Sequence, residues 1–559
     1  MPSTSSAAHL LADEFVDHRL ATEHDWALWA GDLTHLEKWP DVSEDGVRSR
    51  LEALEGFARR AGEIEPVSGD DRTLLETIAF TGRSKAAQLR WQPELQWVNH
   101  TTGIVSLMFI FLPRFPLVTA EHGERYLEKI RGLPEFLGVW ADRLVPAAVE
   151  GLAPITHLVS SMISSLDEQL RAPLSHGPLA GQAPPLTLSD DGGARWKGQL
   201  LTLLDDAVAP ALEQLRSVLI SHTLPAARDD ELPGLLHLPG GRELYERLVW
   251  AHTSLPVTAG EVHEIGIEEV QRLEAEYQQV AGPLFGTTEI DEIYRKLRQD
   301  QALHYRDAGS LVEDATTALA RATAAATDWF GTLPQAPCTA NSIEQGALAF
   351  YSRPARDGSK PGRFFFNTAD PAAWGTFQLQ AVTYHEGVPG HHLQLAIAQE
   401  NPQLHRLLAD YYIAAYNEGW GLYTERLADE MGLYSTDLDR LGMLSADSMR
   451  ACRLVVDTGM HALGWTREQA IEYMVDHSPM TRVQVEGEID RYIGNPGQAL
   501  GYMMGRLEID RIRLEVEATL ADRFEIKAFH DVVLSTGSVP ITTLRRVVTD
   551  WLVDRAPAT

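Results

Sequence analysis

One short window, residues 384–394, constrains this chain more than any other part of its 559 residues. It reads YHEGVPGHHLQ and places His385, Glu386, His391 and His392 within eight positions, although the chain has only 20 histidines. Imidazoles and a carboxylate grouped in this way are typical of a metal site. An apolar helical segment precedes the window, so we expect these side chains inside the fold.

The spacing of the histidines requires a break in the helix. In the common HExxH arrangement, two histidines four residues apart share one helix face and reach one ion. Here position 389 is proline, and the next histidines stand six and seven residues after His385. On an unbroken helix the sixth residue lies about 9 Å further along the axis and on another face. Pro389 and its neighbouring glycines permit a break. A two-residue bulge presents His391 as the second ligand, which we favour, and a three-residue bulge presents His392.

A third ligand is expected from the segment 416–432, YNEGWGLYTERLADEMG. Hydrolytic zinc sites use three protein ligands and leave one position open. Glu418 and Glu425 are seven residues apart, so they lie within about 20° of each other around a helix axis. The aromatic and apolar residues around them indicate a buried helix. We predict Glu418 as the ligand and Glu425 as a group that orients a ligating histidine or pairs with a cation, although the reverse assignment stays open.

Histidine and carboxylate ligands with one open position suit a single Zn2+ ion, with Mn2+, Co2+ or Fe2+ as alternatives. Glu386 would take a proton from water and deliver it to the leaving group. The favoured function is a zinc peptidase that cleaves short peptides. The alternatives are a zinc hydrolase of a non-peptide amide or ester and a non-catalytic helical metal-binding protein. Glu386 argues against the last, because a structural site needs no base.

The fold class predicted from helix-forming residues and helical periodicity is mainly α. One segment, residues 347–370, instead shows a strand-turn-strand pattern around DGSKPG. We expect this small hairpin or sheet beside the active helix, where it could accept an extended peptide as an added strand. The whole chain, residues 1–559, is interpreted as one two-lobed domain. Its tentative parts are a helical lobe, 1–240, and a catalytic part, 241–559.

The composition excludes several classes of partner. A formal net charge of −31 would repel phosphate backbones and anionic lipid, so neither nucleic acid nor a membrane is expected. Cys338 and Cys452 are too few for a disulfide framework and form no CxxC motif. The first residues show no signal-peptide pattern, and no stretch of 18 uncharged apolar residues occurs. We therefore expect a cytoplasmic protein, and the sequence does not indicate its oligomeric state.

Several blocks of the sequence resemble the bacterial family named domain of unknown function 885, over about residues 10 to 555. Three blocks are specific together, and two weaker ones accompany them. The blocks are HEGVPGHHLQ (385–394), EGWGLY (418–423), PGQALGY (496–502), PGGRELY (239–245) with His252 and Thr253 after it, and DGSKPGRFFFN (357–367).

By motif this family is similar to glutamate-ligand HExxH zinc peptidases such as oligopeptidases and angiotensin-converting-type enzymes. Their HExGHxL helix aligns with the present window after a two-residue insertion, which favours His391 over His392. The resemblance implies a helical, two-lobed fold with a deep central cleft that admits short peptides.

The resemblance also implies a tyrosine or histidine near the developing oxyanion. Tyr502 is the favoured counterpart, and Tyr492 and Gln498 are reserves. His392 is a further catalytic candidate. The remaining candidates for supporting a ligand or contacting substrate are Glu425, His252, Tyr351 and Arg363.

Overall fold

The structure, a computed structural model, is mainly helical and carries one small sheet, as predicted. It describes residues 6–23, 31–92, 95, 97–100, 103–344 and 347–555. The helices are α1 (Ala7–Thr22), α2 (Glu44–Glu63), α3 (Gly69–Arg90), α4 (Ile104–Phe111), α5 (Ala120–Val149), α6 (Thr156–Gln169), α7 (Asp190–Leu203), α8 (Ala209–Val218), α9 (Gly241–Thr253), α10 (Ala259–Phe285), α11 (Ile290–Gln299), α12 (Ala308–Ala325), α13 (Gln378–Glu386), α14 (His391–Glu400), α15 (Arg406–Asp410), α16 (Ala414–Glu430), α17 (Asp437–Thr458), α18 (Arg467–Asp476), α19 (Arg482–Gly494), α20 (Leu500–Leu520), α21 (Ile526–Ser535) and α22 (Ile541–Val553).

Local sequence signals start several of these helices. Thr258, Thr466 and Thr481 each accept a hydrogen bond from the backbone of the third helical residue, whose own side chain caps the threonine backbone in return. Each such capping box satisfies N–H groups that a helix start leaves free and stabilises the helix by about 1 kcal/mol. None of the described helices combines the length and the apolar character that crossing a membrane requires.

The sheet has three strands in the order β1 (Cys338–Ile343), β3 (Gly362–Asn367) and β2 (Ala349–Ser352). β2 and β3 are antiparallel, which confirms the hairpin expected within residues 347–370. β1 pairs with β3 in parallel and was not predicted. Alternate residues of β3 face the interior, so Phe364 and Phe366 are buried while Phe365 stacks on the other face.

The buried apolar side chains of the described residues form three clusters. The largest joins residues 8–91 to the C-terminal half, and the second is confined to residues 36–219. The third lies under the sheet and includes Phe364 and Phe366. The first helices therefore pack with the part of the chain that carries the histidine window. The lobe boundary at residue 240 and the deep cleft stay predictions.

Candidate metal centre

The helix that carries the histidine window is interrupted, as predicted. α13 ends at Glu386 and α14 begins at His391, and the Val388–Pro389 peptide bond between them is cis. The break also needs glycine. A Cβ atom at Gly390 would lie 2.0 Å from the carbonyl oxygen of His385, which no side chain can tolerate. The backbone thus folds back tightly enough to bring a later histidine beside the earlier one.

The structure brings His385, His391 and Glu418 together. The Oε2 atom of Glu418 lies 3.4 Å from Nε2 of His385 and 3.5 Å from Nε2 of His391. All three residues are buried, with exposures of 4%, 7% and 9%. Zinc bonds of about 2.0–2.2 Å at tetrahedral angles separate ligand atoms by about 3.3 Å. The two separations from Glu418 match that value, and all three donor atoms lie within 4.8 Å of one another, so these side chains could hold a zinc ion, and His391 rather than His392 belongs to the group.

Glu425 and Gly421 fix the orientation of His385. The Nδ1 atom of His385 lies 2.8 Å from Oε1 of the buried Glu425, which leaves Nε2 directed at Glu418. Gly421 lies under the ring, where a Cβ atom would be only 2.6 Å from Cε1 of His385. Burial alone would lower the pKa of His385, but Glu418 and Glu425 raise it to about 9. The centre therefore carries enough negative charge to attract a cation.

Glu386 has an available carboxylate beside the ligands. In the described part of the chain, no group forms a hydrogen bond or ion pair with this carboxylate. Burial raises its pKa, while the neighbouring His391 and His385 lower it. A carboxylate held in a poorly solvated position with a raised pKa suits proton transfer. The role of Glu386 as a base stays a prediction.

Two tyrosines approach Glu418. The hydroxyl group of Tyr412 donates a hydrogen bond to Oε1, the oxygen that does not face the histidines. Tyr412 was not predicted, and the only sequence signal for it is its position just before α16. Tyr502 is close enough for the Glu418 charge to affect it, and burial is the main reason that its pKa rises to about 12. Among the described residues none hydrogen-bonds the Tyr502 hydroxyl, which is free to donate to a substrate.

Close packing of α16 on α20 brings Tyr502 to the centre. A Cβ atom at Gly505 would lie 1.9 Å from the carbonyl oxygen of Ala415, and one at Gly419 would lie 2.6 Å from the backbone of Gly505. The two helices therefore touch backbone to backbone at these glycines. Tyr502 lies about one turn before Gly505, at the level of the ligand Glu418.

His392 does not belong to the group of His385, His391 and Glu418, and its predicted catalytic role stays a prediction. Its Nδ1 atom is 2.9 Å from the Tyr351 hydroxyl, and its Nε2 atom is 3.0 Å from the carbonyl oxygen of Ala336. Burial lowers its pKa to about 4, so the ring is neutral near pH 7. His392 and Tyr351 instead connect α14 to the sheet.

Tyr492 and Gln498, the alternative candidates for the residue near the oxyanion, each accept a hydrogen bond from an arginine. The Tyr492 hydroxyl accepts a hydrogen bond of 2.7 Å from Nε of Arg453, and Oε1 of Gln498 accepts one of 2.7 Å from Nη1 of Arg491. Neither contacts a ligand side chain. Tyr502, in the PGQALGY block, is therefore the candidate among these that approaches Glu418.

His252 and Arg363 do not contact the three ligands. His252 packs against the backbone at Gly497, and burial lowers its pKa to about 4. Arg363 is on β3, and its guanidinium group lies 5.3 Å from the centre of the Phe365 ring. Their predicted contacts with substrate stay predictions.

A family described as "Bacterial protein of unknown function (DUF885)" matches residues 25–548. The chain belongs to this family. A crystal structure of a protein described as "the putative lipoprotein from Colwellia psychrerythraea" is similar to this DUF885 member, with 25% identity and a TM-score of 0.92 over 98% of this chain and 100% of the other. A "putative lipoprotein of unknown function from Shewanella oneidensis" shares 19% identity and the fold, with a TM-score of 0.71 over 98% and 100%. No curated protein matches the sequence.

Proposed function

We propose that this DUF885 protein is a zinc-dependent hydrolase that cleaves short peptides. The observation that carries the proposal is the convergence of His385, His391 and Glu418 beside the unpartnered carboxylate of Glu386. A purely structural metal site would have no use for an additional carboxylate without a partner. The relation to HExxH peptidases is part of this proposal.

The protein groups have distinct roles in the proposed reaction. A zinc ion held by the three ligands supplies a Lewis acid that lowers the pKa of water and polarises a carbonyl group. Glu386 accepts the proton of the attacking water and passes it to the leaving nitrogen. The free hydroxyl of Tyr502 donates a hydrogen bond to the carbonyl oxygen as negative charge develops there. Glu425 keeps His385 in the tautomer that presents Nε2.

The sheet favours a peptide over a smaller amide or ester. β1 is at one edge of the sheet, so its outer side has no strand partner among the described strands. Cys338 in β1 is close enough to Glu386 for the carboxylate charge to add to the effect of burial, which raises the thiol pKa to about 12. An extended peptide added to β1 would therefore pass near the proposed base.

The decisive experiment digests a mixed peptide pool with the zinc-loaded protein and reads the products by mass spectrometry. Glu386→Gln should keep one zinc per chain, measured by elemental analysis, and lose at least about 100-fold in cleavage rate. Glu472→Gln makes the same chemical change on the surface of α18 and should cleave like the parent. Cleavage by Glu386→Gln at the parental rate would refute the base, and a chain that holds no zinc would refute the centre.

Location is a separate proposal. The cytoplasmic location stays a prediction, and the names of the two similar proteins indicate lipid attachment for those proteins. Fractionation of cells that produce the native chain tests it, because recovery in the membrane or envelope fraction would contradict a cytoplasmic location. The proposed partners are small peptides, and neither nucleic acid nor a membrane surface is expected.

A further inference from the structure

Three arginines surround the two tyrosines next to the metal centre. Arg450 and Arg453 are on α17, and their guanidinium carbons lie 6.0 Å and 4.6 Å from the centre of the Tyr502 ring. Arg491 on α19 lies 4.8 Å from the centre of the Tyr492 ring. We call Arg450, Arg453 and Arg491 the arginine cluster. Its positive charges adjoin the side chain that is proposed to contact the substrate carbonyl.

Each arginine of the cluster has a buried N–H group without a partner among the described residues. These are Nε of Arg450, Nη1 of Arg453 and Nε of Arg491. Buried donors in proteins are nearly always hydrogen-bonded, and three exceptions at one place need an explanation. A ligand with acceptor oxygens would satisfy them.

The cluster also lacks anions. Glu488 accepts hydrogen bonds of 2.8 Å from Arg453 and 2.9 Å from Arg491, so one carboxylate serves two arginines. Burial would raise the pKa of Glu488, but these arginines hold it well below its usual range, so it is ionised. Glu425 is 3.8 Å from Arg450 and already pairs with His385. Among the described residues, only these two carboxylates lie within ion-pair distance of the three arginines, and Glu386 is close enough for Arg450 to lower its pKa.

A neighbouring network shows the difference between structural and available arginines. It pairs three arginines with three carboxylates: Arg272, Arg426 and Arg506 with Glu269, Glu276 and Asp447. That network also leaves some buried N–H groups unpaired. The smaller number of carboxylates in ion pairs, rather than unpaired donors alone, therefore distinguishes the arginine cluster.

We propose that the arginine cluster binds the C-terminal carboxylate of the substrate, so that the protein removes residues from the C-terminal ends of short peptides. This inference rests on the proposed hydrolase function. Arginine recognises a carboxylate with two parallel, charge-assisted hydrogen bonds. Arg450 is connected to His385 through Glu425 by contacts of 3.8 and 2.8 Å. Because both contacts end on Oε1 of Glu425, they span at most about two extended residues of about 3.3–3.6 Å each, which limits cleavage to positions near the C-terminus.

Three peptides test the proposal: N-acetylated tetra-alanine with a free carboxylate, its C-terminal amide, and an amide that ends in glutamate. The parent should cleave the free acid with a kcat/KM about 10–100-fold above that of the simple amide, as expected for charge-assisted hydrogen bonds. Arg450→Gln should remove most of this preference and should raise KM for the acid more than it lowers kcat. Arg450→Lys, which keeps the charge, should retain part of it.

Arg440→Gln is the matched control, because Arg440 is on the same helix and pairs with Asp429 and Asp437 away from the centre. It should keep the parental preference, and thermal unfolding should show that both glutamine variants are folded. Equal cleavage of acid and amide by the parent would overturn the proposal while leaving the hydrolase intact. The proposal would also be overturned if the glutamate-ending amide were cleaved with the same kcat/KM as the free acid. The cluster would then bind a side-chain carboxylate as well as it binds the C-terminal one.

A binding measurement separates this inference from the proposed function. Calorimetry should show that the zinc-loaded Glu386→Gln variant binds the free acid about 10–100-fold more tightly than the amide. Adding Arg450→Gln to this variant should abolish the difference in affinity. If the parent cleaves no peptide but this binding preference is present, the hydrolase proposal fails and the carboxylate site stands. Equal binding of acid and amide refutes the site.

Discussion

Gly421→Ala tests whether the centre depends on how closely α16 approaches His385. The added Cβ atom would lie 2.6 Å from Cε1 of His385, whereas ordinary contacts begin at 3.4 Å. Because protein interiors are close-packed, α16 and the His385 ring must therefore move apart by about 0.8 Å. The helix cannot move away, because Gly419 on its opposite face already touches the backbone of Gly505. The ring of His385 must move instead, although Glu425 and Glu418 hold both of its nitrogens.

A displacement of that size exceeds the tolerance of about 0.5 Å that a functional constellation allows. We expect zinc affinity to fall by at least about 10–100-fold, as when a group that orients a ligand is lost. Overpacking should also lower the free energy of unfolding of the zinc-free protein by about 1–3 kcal/mol. Competition with a chromophoric chelator measures the affinity, and urea unfolding in the presence of a strong chelator measures the stability.

Gly198→Ala is the matched control, because Gly198 is an exposed residue of α7 where a Cβ atom meets nothing within 4 Å. That change should stabilise the protein by up to about 1 kcal/mol through helix propensity and leave zinc affinity unchanged. If Gly421→Ala binds zinc as tightly as the parent, the His385 ring does not need its present position to bind metal. The geometric argument for the centre would then be refuted.

Three further predictions concern the surroundings of the centre. Glu425→Gln should weaken zinc binding about 10–100-fold in the chelator assay, and parental affinity would show that this carboxylate does not orient the ligand. Tyr502→Phe should lower kcat about 100–1000-fold with unchanged zinc content, since it removes one donor to the oxyanion, and a change in KM alone would contradict this role. Burial raises the pKa of Asp457 from 3.8 to about 7, although hydrogen bonds from Tyr245 and a backbone N–H oppose the shift. Asp457 therefore loses its proton at a lower pH in the unfolded chain than in the folded protein. As the pH rises from 4 to 7, the free energy of unfolding should fall by up to about 4 kcal/mol, and urea unfolding of Asp457→Asn should lack this fall.

The sequence alone predicts that His385, His391 and Glu418 lie together, as the structure has them, and their role as zinc ligands stays a prediction. His385 and His391 are separated by a break whose cause, a proline between glycines, is visible in the sequence. The sequence leaves Glu418 and Glu425 as alternatives for the third position, since both lie on one side of the same helix, two turns apart, and can face the same neighbour. The structure separates their roles, because Glu418 approaches the two Nε2 atoms whereas Glu425 approaches Nδ1 of His385.

Tertiary contacts account for what the sequence does not predict. β1 pairs in parallel with a strand that begins about 20 residues later, and periodicity gives no information on such pairing. The sequence does not distinguish Tyr412 from other aromatic residues, and only the structure shows that its hydroxyl group contacts Glu418 at the start of α16. The arginine cluster combines residues of α17 and α19, and its lack of anions is apparent only once Glu488 and Glu425 are seen with their partners.

Four glycines around the centre have a common physical reason: Gly390, Gly419 and Gly421 belong to the first two specific sequence blocks, and Gly505 follows the third. The break after Glu386 moves His391 onto a new helix, and Glu418 approaches both histidines from a neighbouring helix at very short range. Gly390 allows the tight turn, and Gly421 allows α16 to lie directly against the His385 ring. Contact between Gly419 and Gly505 then brings α20, with Tyr502, against the same helix. Alanine at Gly390, Gly419 or Gly505 would push apart backbones that are in contact, and alanine at Gly421 would displace the His385 ring, so the clustered side chains and the glycines form a single structural unit.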